Sequence, residues 1–314
     1  MKTEWTANNI PSQAGRRVVI TGANSGIGFE AALQLALRGA EIILPARSQS
    51  KADDAAVRIR RAVPSAQITT AILDLSSLTS VRTFAAWFTA HAPGQSIDLL
   101  INNAGVMAIP QRELTEDGYE RQFATNFLGP FALTALLYPH IRQQLGSRIV
   151  TVSSSVTKMA KIDFNNLQSE HRYKPMDQAY AQSKLADSIF ALELQRRLTA
   201  SGSKVSATAA HPGYAITNLQ TSGPGENGGE LLFRIITSLL KPIASQDAAH
   251  GALPTLYAAT APEAQPGGYY GPDRMFEMKG HPTAVPIPKA AKNTAVATRL
   301  WSEAEKLTRV PFAI

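Results

Sequence analysis

The stretch that decides the fold is Arg17-Val18-Val19-Ile20 followed by Thr21-Gly22-Ala23-Asn24-Ser25-Gly26-Ile27-Gly28. The first four residues predict a β-strand, and residues 28–37 carry the apolar spacing of a helix. Glycines between a strand and a helix permit a tight turn and let the backbone approach a pyrophosphate, whose charge the helix N-terminus favours. This order therefore predicts a dinucleotide-binding turn at residues 21–28.

A second glycine string, at residues 223–228, also fits the spacing G-x-G-x-x-G. No apolar strand precedes it and Pro224 lies inside it, so we interpret it as a loop. A plain strand–helix turn is the alternative to cofactor binding at the first string. We assign cofactor binding to the first string, at Gly22, Asn24, Ser25, Gly26, Ile27 and Gly28.

Outward from this turn, short β-branched runs alternate with helical stretches up to about residue 215. The predicted strands are 17–20, 41–44, 68–73, 98–101, 148–153 and 205–209, and the predicted helices are 28–37, 51–63, 78–91, 118–145 and 178–200. Pro45 is expected to stop the second strand. This alternation predicts β-α-β crossovers, and hence an α/β fold: a doubly wound Rossmann-type domain whose parallel sheet carries helices on both faces.

No internal repeat or low-complexity linker divides the chain, so residues 1–314 are predicted to form a single domain. Glycine and proline cluster at 222–229 and 262–272, which we interpret as loops. Residues 218–245 are expected to form a substrate lid, and residues 272–314 a C-terminal extension. The lid segment can instead be a helix packed on the core or one lying on a membrane surface. A lid this apolar favours a bulky hydrophobic substrate.

Composition excludes several kinds of site. The chain has 314 residues and no cysteine, so disulfides, thiolate zinc sites and iron–sulfur clusters are ruled out. Its six histidines show no i, i+4 pair, and we predict no metal site. No G-x-S-x-G elbow is present, which argues against a serine hydrolase.

Charge and hydropathy favour a cytoplasmic protein. Lysine and arginine number 31 against 24 acidic residues, a net charge of +7, but the basic residues are scattered and we expect no nucleic-acid partner. Residues 1–15 are too polar for a signal peptide or an anchor. No run reaches the roughly 18 apolar residues that a spanning helix needs, so no transmembrane segment is expected.

The end of the second predicted strand bears on the choice between NAD and NADP. An acidic residue there would bind a free ribose 2′-hydroxyl, whereas an arginine accommodates a 2′-phosphate. Residues 44–48 contain Arg47 and no carboxylate, which favours NADP(H) as the cofactor. The alternative is that Arg47 is only a solvated surface residue.

Two further strand ends belong to the same predicted cofactor site, because ligands of such sheets bind at the carboxyl ends of the strands. Asp74 and Leu75 follow the third strand, where a side chain and a backbone amide can flank an adenine. Asn103, Ala104 and Gly105 follow the fourth, where small residues let a ribose lie close to the backbone.

Tyr180 and Lys184 form the candidate catalytic pair. Their i, i+4 spacing places a phenol and an ammonium on one helix face. A free tyrosine has a pKa of about 10, and a neighbouring lysine cation or oxidised nicotinamide favours the phenolate. Such a phenol can exchange a proton with a carbonyl or alcohol oxygen. Taken alone, the pair would be interpreted as a surface contact.

Other polar residues accompany the pair. Residues 153–155 are three serines that end the preceding strand, where a hydroxyl can bind the reacting oxygen. Asn126 lies in the long helix before that strand. After the next strand, Pro212 and Gly213 form a turn that, with Thr217, can hold the nicotinamide carboxamide.

In this order the motifs resemble the short-chain dehydrogenase/reductase family, from about residue 15 to about residue 305. They are TGANSGIG at 21–28, NNAG at 102–105, Asn126, the serine after 149–152, YAQSK at 180–184 and HPGYAIT at 211–217. Within the family the chain looks most like the retinol-dehydrogenase-like branch, on PARS at 45–48, IDFNNL at 162–167 and AYAQSKLA at 179–186.

The resemblance implies four catalytic residues. Tyr180 is the acid/base, and Lys184 lowers its pKa and holds the ribose. Asn126 supports a water in the proton relay. Ser154 orients the substrate oxygen, since family members place this serine second after the last apolar residue of the strand, here Val152.

The chain departs from the family pattern in two places. Residues 160–177 form an insert whose Tyr173 lacks a lysine partner, because residue 177 is aspartate. The N-terminal hydrophobic anchor of many membrane-bound relatives in the branch is not found in residues 1–15. Light-dependent protochlorophyllide reductases are also similar, but that resemblance includes cysteines near the site.

These observations predict an NADP(H)-dependent oxidoreductase acting on a small-molecule carbonyl or alcohol, with a hydrophobic substrate favoured. The alternative is an NADP-sensing regulatory protein on the same fold. Such proteins typically lose the tyrosine–lysine pair, which this chain keeps. Substrate identity, stereochemistry and a possible homo-oligomer are left open.

Overall fold

The computed structural model describes residues 4–91, 94–214 and 246–314, whose centre is one eight-stranded sheet. Its order is β3-β2-β1-β4-β5-β6-β7-β8; all neighbouring pairs are parallel except β7 and β8. The strands are β1 (Arg17–Ile20), β2 (Glu41–Ala46), β3 (Ile68–Ile72), β4 (Leu99–Asn102), β5 (Arg148–Val152), β6 (Ser206–Ala210), β7 (Tyr269–Arg274) and β8 (Lys279–Ala284). This arrangement confirms the predicted doubly wound α/β fold.

Helices cover both faces of the sheet. They are α1 (Gly26–Leu37), α2 (Gln49–Ala62), α3 (Leu78–His91), the short α4 (Arg121–Phe123), α5 (Gly129–Leu137), α6 (Ala181–Ala200), α7 (Ala248–Thr260) and α8 (Thr294–Thr308). One core cluster joins α3, α5, α6 and α8 to the sheet, and the other joins α1, α2 and α7. Val19 belongs to the first cluster while Val18 and Ile20 belong to the second, because successive side chains of a strand point to opposite faces.

The sheet changes direction between β1 and β4. From β1 the chain adds β2 and then β3 on one side, and it crosses over to place β4 on the other side of β1. At such a switch point the loops after the two central strands diverge and leave a crevice for a ligand. The loops that leave here are the glycine turn after β1 and residues 102–105 after β4.

The prediction that Pro45 stops the second strand was wrong, since β2 runs through it to Ala46. The N–H of Glu41 points towards β1, and the N–H of Ile42 points towards β3. Because every second residue of a strand directs its N–H to the same side, the N–H that Pro45 lacks would point towards β1. The pairing of β1 with β2 runs only to Val19 and Ile43. Pro45 therefore faces the end of β1, where its missing N–H interrupts no continuing ladder.

The helix predicted over 118–145 is shorter and divided. It consists of α4, a π-helical turn over Ala124–Leu128 and α5, and a 3₁₀ turn at Tyr138–His140 ends it. Pro139 cannot continue the helical hydrogen bonding. Ile141 is then extended and pairs with Ile97.

The prediction that 262–272 is entirely loop was also wrong at its C-terminal end. Tyr269 and Tyr270 are buried and pair with Ala209 and Ala210 of β6. Glycine and proline within β7 hide this strand in the sequence, and its ladder with β8 shifts register between residues 272 and 274. The predicted C-terminal extension thus supplies the last strand of the sheet.

An aromatic cluster joins the C-terminal helix to the core. The ring of Trp301 stacks on Phe312 at 4.9 Å between centroids, and both rings meet Phe131 edge-on at 5.1 and 5.7 Å. Phe190 of α6 lies 5.9 Å from Trp301. Edge-on and stacked aromatic pairs add stability beyond their buried area. This cluster therefore packs α8 and the residues after it against α5 and α6.

Segment 218–245, predicted to form a lid, lies outside the described residues, as does the second glycine string. Within the described residues, no helix combines the length and the apolarity that a membrane span requires.

We expect Trp301→Ala to lower the free energy of unfolding by about 3–5 kcal/mol, because it removes a large side chain from a packed core. Phe276, which is 92% exposed, supplies the control. Its replacement by alanine should change stability by at most about 0.5 kcal/mol. Urea unfolding followed by circular dichroism measures both, and equal effects would contradict the anchoring role of the cluster.

Candidate active site

The glycine turn after β1 has the shape of a phosphate cradle. Gly22 and Gly26 have φ angles of +69° and +57°, which side-chain-bearing residues rarely adopt. A Cβ on Gly28 would lie 2.4 Å from the Asn103 side-chain nitrogen and 2.5 Å from the Gly22 carbonyl oxygen. No side chain caps the N-terminus of α1, so its first N–H groups face the turn without a side-chain acceptor. These features fit a pyrophosphate.

The loop after β4 is fastened to this turn through Thr21. The N–H groups of Asn103 and Ala104 donate to the Thr21 hydroxyl at 3.1 and 3.0 Å. The Asn103 side-chain amide donates to the Thr21 carbonyl at 2.9 Å. The small residues predicted to lie along a ribose are therefore held directly beside the glycine turn.

Gly105 connects this loop to the candidate catalytic residues. A Cβ at Gly105 would lie 3.2 Å from Asn126 Oδ1 and 3.4 Å from Lys184 Nζ. The backbone here thus packs against both side chains, and a larger residue would push them apart. The structure thus brings the loop after β4, Asn126 and Lys184 together.

Asn126 lies in the π-helical turn between α4 and α5. Its buried amide accepts from the Val106 N–H at 2.7 Å and donates to the Val106 carbonyl at 2.9 Å. It also donates to the Ser183 hydroxyl at 2.9 Å, and that hydroxyl donates to the Tyr180 carbonyl. Asn126 therefore links the β4 loop to the start of α6; π-helical turns are frequent at functional sites.

Tyr180 and Lys184 come together where α6 begins. Tyr180 ends a π-helical turn over Pro175–Tyr180 and is half-buried, whereas Lys184 is buried in the first turns of α6. The Lys184 ammonium donates to the carbonyl of Val152, at the end of β5, at 2.9 Å. It also donates to Asp187 at 2.8 Å. The catalytic helix is thereby tied to the strand that carries the serines.

The three serines after β5 have different roles. The hydroxyl of Ser153 is buried and donates to the Lys184 carbonyl at 2.8 Å, with Ser188 Oγ also 2.8 Å away. Ser154 is half-buried, and the one hydrogen bond to its hydroxyl from a described residue, the Val156 N–H, is long at 3.5 Å. Of the first two serines, Ser154 therefore has the less engaged hydroxyl, and its role toward a substrate stays a prediction.

The electrostatics of the lysine depend on Asp187. Burial by itself would lower the pKa of Lys184, but the charges of Asp187 and Tyr180 and the hydrogen bond to Asp187 outweigh it and raise that pKa. The ammonium therefore stays charged beside Tyr180. A persistent cation of this kind favours the phenolate form of a neighbouring tyrosine.

Tyr173, the other tyrosine near the insert, is bound elsewhere. Its hydroxyl donates to the Ile109 carbonyl at 2.5 Å and accepts from the Gln122 amide at 3.1 Å. Burial raises the pKa of Tyr173 to about 12. This tyrosine is therefore a poor proton donor or acceptor near neutral pH.

The adenine end of the predicted site is more open. Arg47 is exposed just beyond β2 and forms no ion pair with another described residue. One carboxylate oxygen of Asp74 accepts from the N–H and the hydroxyl of Ser76, at 2.9 and 2.7 Å. Leu75 is buried, and its carbonyl lies against Gly129, where a Cβ would be 2.2 Å away.

The turn after β6 is held by a histidine and a glutamate. Gly213 has a φ of +66° and donates its N–H to His211 Nδ1 at 3.3 Å. The opposite nitrogen of His211 lies 3.0 Å from a carboxylate oxygen of Glu277. The hydrogen bonds from His211 and from Lys158 lower the pKa of Glu277. Pro212 accepts from the Gln246 amide at 2.6 Å, and the predicted contact Thr217 lies outside the described residues.

Sequence reasoning missed four residues that hold this site together: Thr21, Ser183, Asp187 and Glu277. Asp187 could have been found, since it follows Lys184 by three residues and so shares its helix face. Glu277 could not, because it reaches His211 only through the unpredicted β7–β8 hairpin.

Comparison with known proteins agrees with this geometry. Residues 16–225 match the family model for short chain dehydrogenases. The chain is 40% identical to retinol dehydrogenase 13 of Homo sapiens over 313 residues, which is 98% of this chain and 89% of that protein. It is 39% identical to polyprenol dehydrogenase of Mus musculus over 304 residues, 95% of this chain and 85% of that one.

A solved structure has a similar fold. An uncharacterised protein from Mycobacterium paratuberculosis matches with a TM-score of 0.80 and 40% identity, covering 99% of this chain and 100% of that one. The chain therefore belongs to the short-chain dehydrogenase/reductase family of NAD(P)-using oxidoreductases. Within that family it falls in the retinol-dehydrogenase-like branch.

Replacing Gly28 with alanine should weaken NADPH binding at least about tenfold, because the added Cβ displaces the Asn103 amide and the Gly22 carbonyl from the cradle. Gly202→Ala is the control: Gly202 has open space around its Cβ position, and because its φ is +72°, unlike that of Gly28, this variant carries backbone strain without the steric clash. Fluorescence titration with NADPH measures both dissociation constants. A folded Gly28→Ala variant with unchanged affinity would show that the turn does not hold the pyrophosphate.

Proposed function

We propose that this protein is an NADP(H)-dependent oxidoreductase that interconverts an apolar alcohol and its aldehyde or ketone, with Tyr180 as the acid/base. The observation that carries the proposal is the buried Lys184 ammonium, which lies beside Tyr180 and packs against Gly105 of the cofactor loop. The Lys184 cation therefore lies next to both the Tyr180 phenol and the loop of the predicted cofactor site. A protein that only sensed NADP would need the cradle and not the pair.

The chain's own residues account for the proton chemistry. The cofactor, when bound, supplies or accepts the hydride at the nicotinamide ring. Tyr180 gives a proton to the carbonyl oxygen in reduction and takes it from the alcohol in oxidation. Lys184 holds its positive charge beside the phenol, and the hydroxyl of Ser154 orients the reacting oxygen. Asn126 holds the β4 loop and the start of α6 in register and supports the water of the proton relay.

The apolar character of the substrate is supported by the relatives. Two proteins with about 40% identity over nearly the whole chain are a retinol dehydrogenase and a polyprenol dehydrogenase. Both names denote the oxidation of long, apolar alcohols. The apolar composition of residues 218–245 supports the same class of substrate. The cytoplasmic location stays a prediction from the sequence.

The proposed preference for NADP(H) is supported by the end of β2. Arg47 is exposed there, and Ala46 and Ser48 flank it without a carboxylate. A guanidinium can form charge-assisted hydrogen bonds with a 2′-phosphate, whereas a free 2′-hydroxyl offers it no charge.

Tyr180→Phe tests the acid/base assignment. We expect turnover with NADPH and an apolar aldehyde to fall by about 10²–10⁴-fold or more, while the NADPH dissociation constant changes little, because only the proton-transferring hydroxyl is lost. Tyr173→Phe is the matched control and should keep its turnover. Near-normal turnover of Tyr180→Phe would contradict the assignment.

Arg47→Ala tests the cofactor preference. A charge-assisted hydrogen bond is worth about 1.5–3 kcal/mol, so NADPH binding should weaken by roughly 10–100-fold while NADH binding stays nearly constant. Arg61→Ala removes another exposed arginine, near the end of α2, and should leave the dissociation constants of both cofactors unchanged. Titrations with both cofactors give the answer, and equal weakening of the two would place Arg47 away from the 2′-phosphate.

A further inference from the structure

Asp187 is a buried acidic residue that the proposed reaction does not itself require. It lies on α6, three residues after Lys184, and is 1% exposed. Its Oδ2 atom lies 2.8 Å from the Lys184 ammonium. Its Oδ1 atom is also buried and accepts no hydrogen bond from any residue that the structure describes. Half of this carboxylate is therefore unsatisfied.

Keeping such a group inside the protein is costly. Burial raises the pKa of Asp187 to about 7, and the charge and hydrogen bond of Lys184 oppose that shift. A buried ion pair often contributes less to stability than apolar residues of the same volume. Its buried polar neighbours on α6, Ser183 and Ser188, both have hydrogen-bonded hydroxyl groups. An unsatisfied carboxylate here therefore calls for a functional explanation.

The geometry around the ammonium supplies one. A lysine ammonium has three N–H donors. One is engaged by the Val152 carbonyl at 2.9 Å and one by Asp187, which leaves a single donor. The backbone of Gly105 closes another side of the group, since a Cβ there would lie 3.4 Å from Nζ. With two donors held, the direction of the third is fixed.

We propose that Asp187 is a positioning residue for Lys184: it fixes the ammonium so that one donor is left for the cofactor and Tyr180, and its negative charge moderates the effect of the lysine on the phenol. This inference rests on the proposed function, because it assigns Asp187 a part in the same reaction. It adds a residue that acts through Lys184 without touching the substrate.

The charged groups around the pair are few. Among the described residues, Lys184 is the charged group that acts on Asp187, while Asp187 and Tyr180 act on Lys184. From β7, Tyr269 approaches Ser153 and Ser188, but burial raises its pKa to about 12 and it stays neutral. On α6 itself, Glu193 is already paired with Arg196 and Arg197.

The net charge of the cluster formed by Lys184, Tyr180 and Asp187 determines whether removing the charge of Asp187 raises or lowers the pH at which a proton is lost. With Asp187 ionised, losing a proton from the Lys184–Tyr180 couple turns a neutral cluster into a negative one. With an uncharged residue at 187, the same loss turns a positive buried cluster into a neutral one, which burial favours. The proton is then lost at lower pH, whichever member of the couple releases it.

Asp187→Asn provides the test, because asparagine keeps the size and an oxygen acceptor for Nζ but removes the charge. The pH dependence of kcat/KM for alcohol oxidation with NADP⁺ is measured above pH 7 for wild type and variant. We expect the midpoint of the variant to fall by about one pH unit or more. Glu193→Gln removes another buried acid of α6 and should leave the midpoint unchanged.

A second measurement needs no turnover. The ultraviolet absorbance of tyrosinate is titrated in cofactor-free protein, with the corresponding Tyr180→Phe protein as the blank. Tyrosinate should form at lower pH in Asp187→Asn than in wild type. If wild type oxidises no alcohol and reduces no carbonyl, the proposed function fails, and this titration alone decides the role of Asp187.

Three results would overturn the inference: a midpoint of Asp187→Asn equal to that of wild type, one shifted to higher pH, or an equal shift in Glu193→Gln. Thermal unfolding checks that each variant is folded. If Asp187→Asn does not fold, Asp187→Ser, which is smaller and also uncharged, undergoes the same two titrations and is judged by the same outcomes.

Discussion

Three hydrogen bonds join Thr21 to Asn103 and Ala104, and they hold the end of β4 against the glycine turn after β1. Because Gly105 follows directly and packs against Asn126 and Lys184, the same few residues fix the distance between the cofactor cradle and the catalytic helix. A shift of the β4 loop would therefore disturb both at once. The residues of this loop are small because Ala104 packs closely against Gly22 and Gly105 packs closely against Asn126 and Lys184. Flexibility of the loop is not the reason.

The site is built around buried charge, which the rest of the domain has to tolerate. Lys184 and Asp187 are buried on α6, at a cost in desolvation that hydrogen bonding only partly offsets. That cost is borne by a helix packed against β5, β6 and α8, among other elements of the core. The rigid packing of α6 thus allows a polar arrangement that would be unstable on a loop.

The sequence was sufficient for the fold class and for the first six parallel strands, because these depend on local patterns. Strand, glycine turn and helix follow one another within 21 residues, and Tyr180 and Lys184 are one helical turn apart. Prediction from the sequence failed where contacts between residues far apart in the chain determine the structure. Pro45 is tolerated in β2 because the neighbouring strand β1 ends beside it. Tyr269 is a strand residue because it pairs with β6. Glu277 contacts His211 because the β7–β8 hairpin brings it there. No local pattern contains those partners.

The aromatic cluster around Trp301 has a consequence for synthesis of the protein. Phe131 and Phe190 are made well before Trp301 and Phe312, against which they pack. A nascent chain that has emerged only as far as α7 therefore holds every predicted cofactor and catalytic residue, yet its aromatic surface is still uncovered. Exposed apolar surface of this kind promotes aggregation and chaperone binding. The residues that cover this aromatic surface, Trp301 and Phe312, are therefore made only after all the predicted site residues.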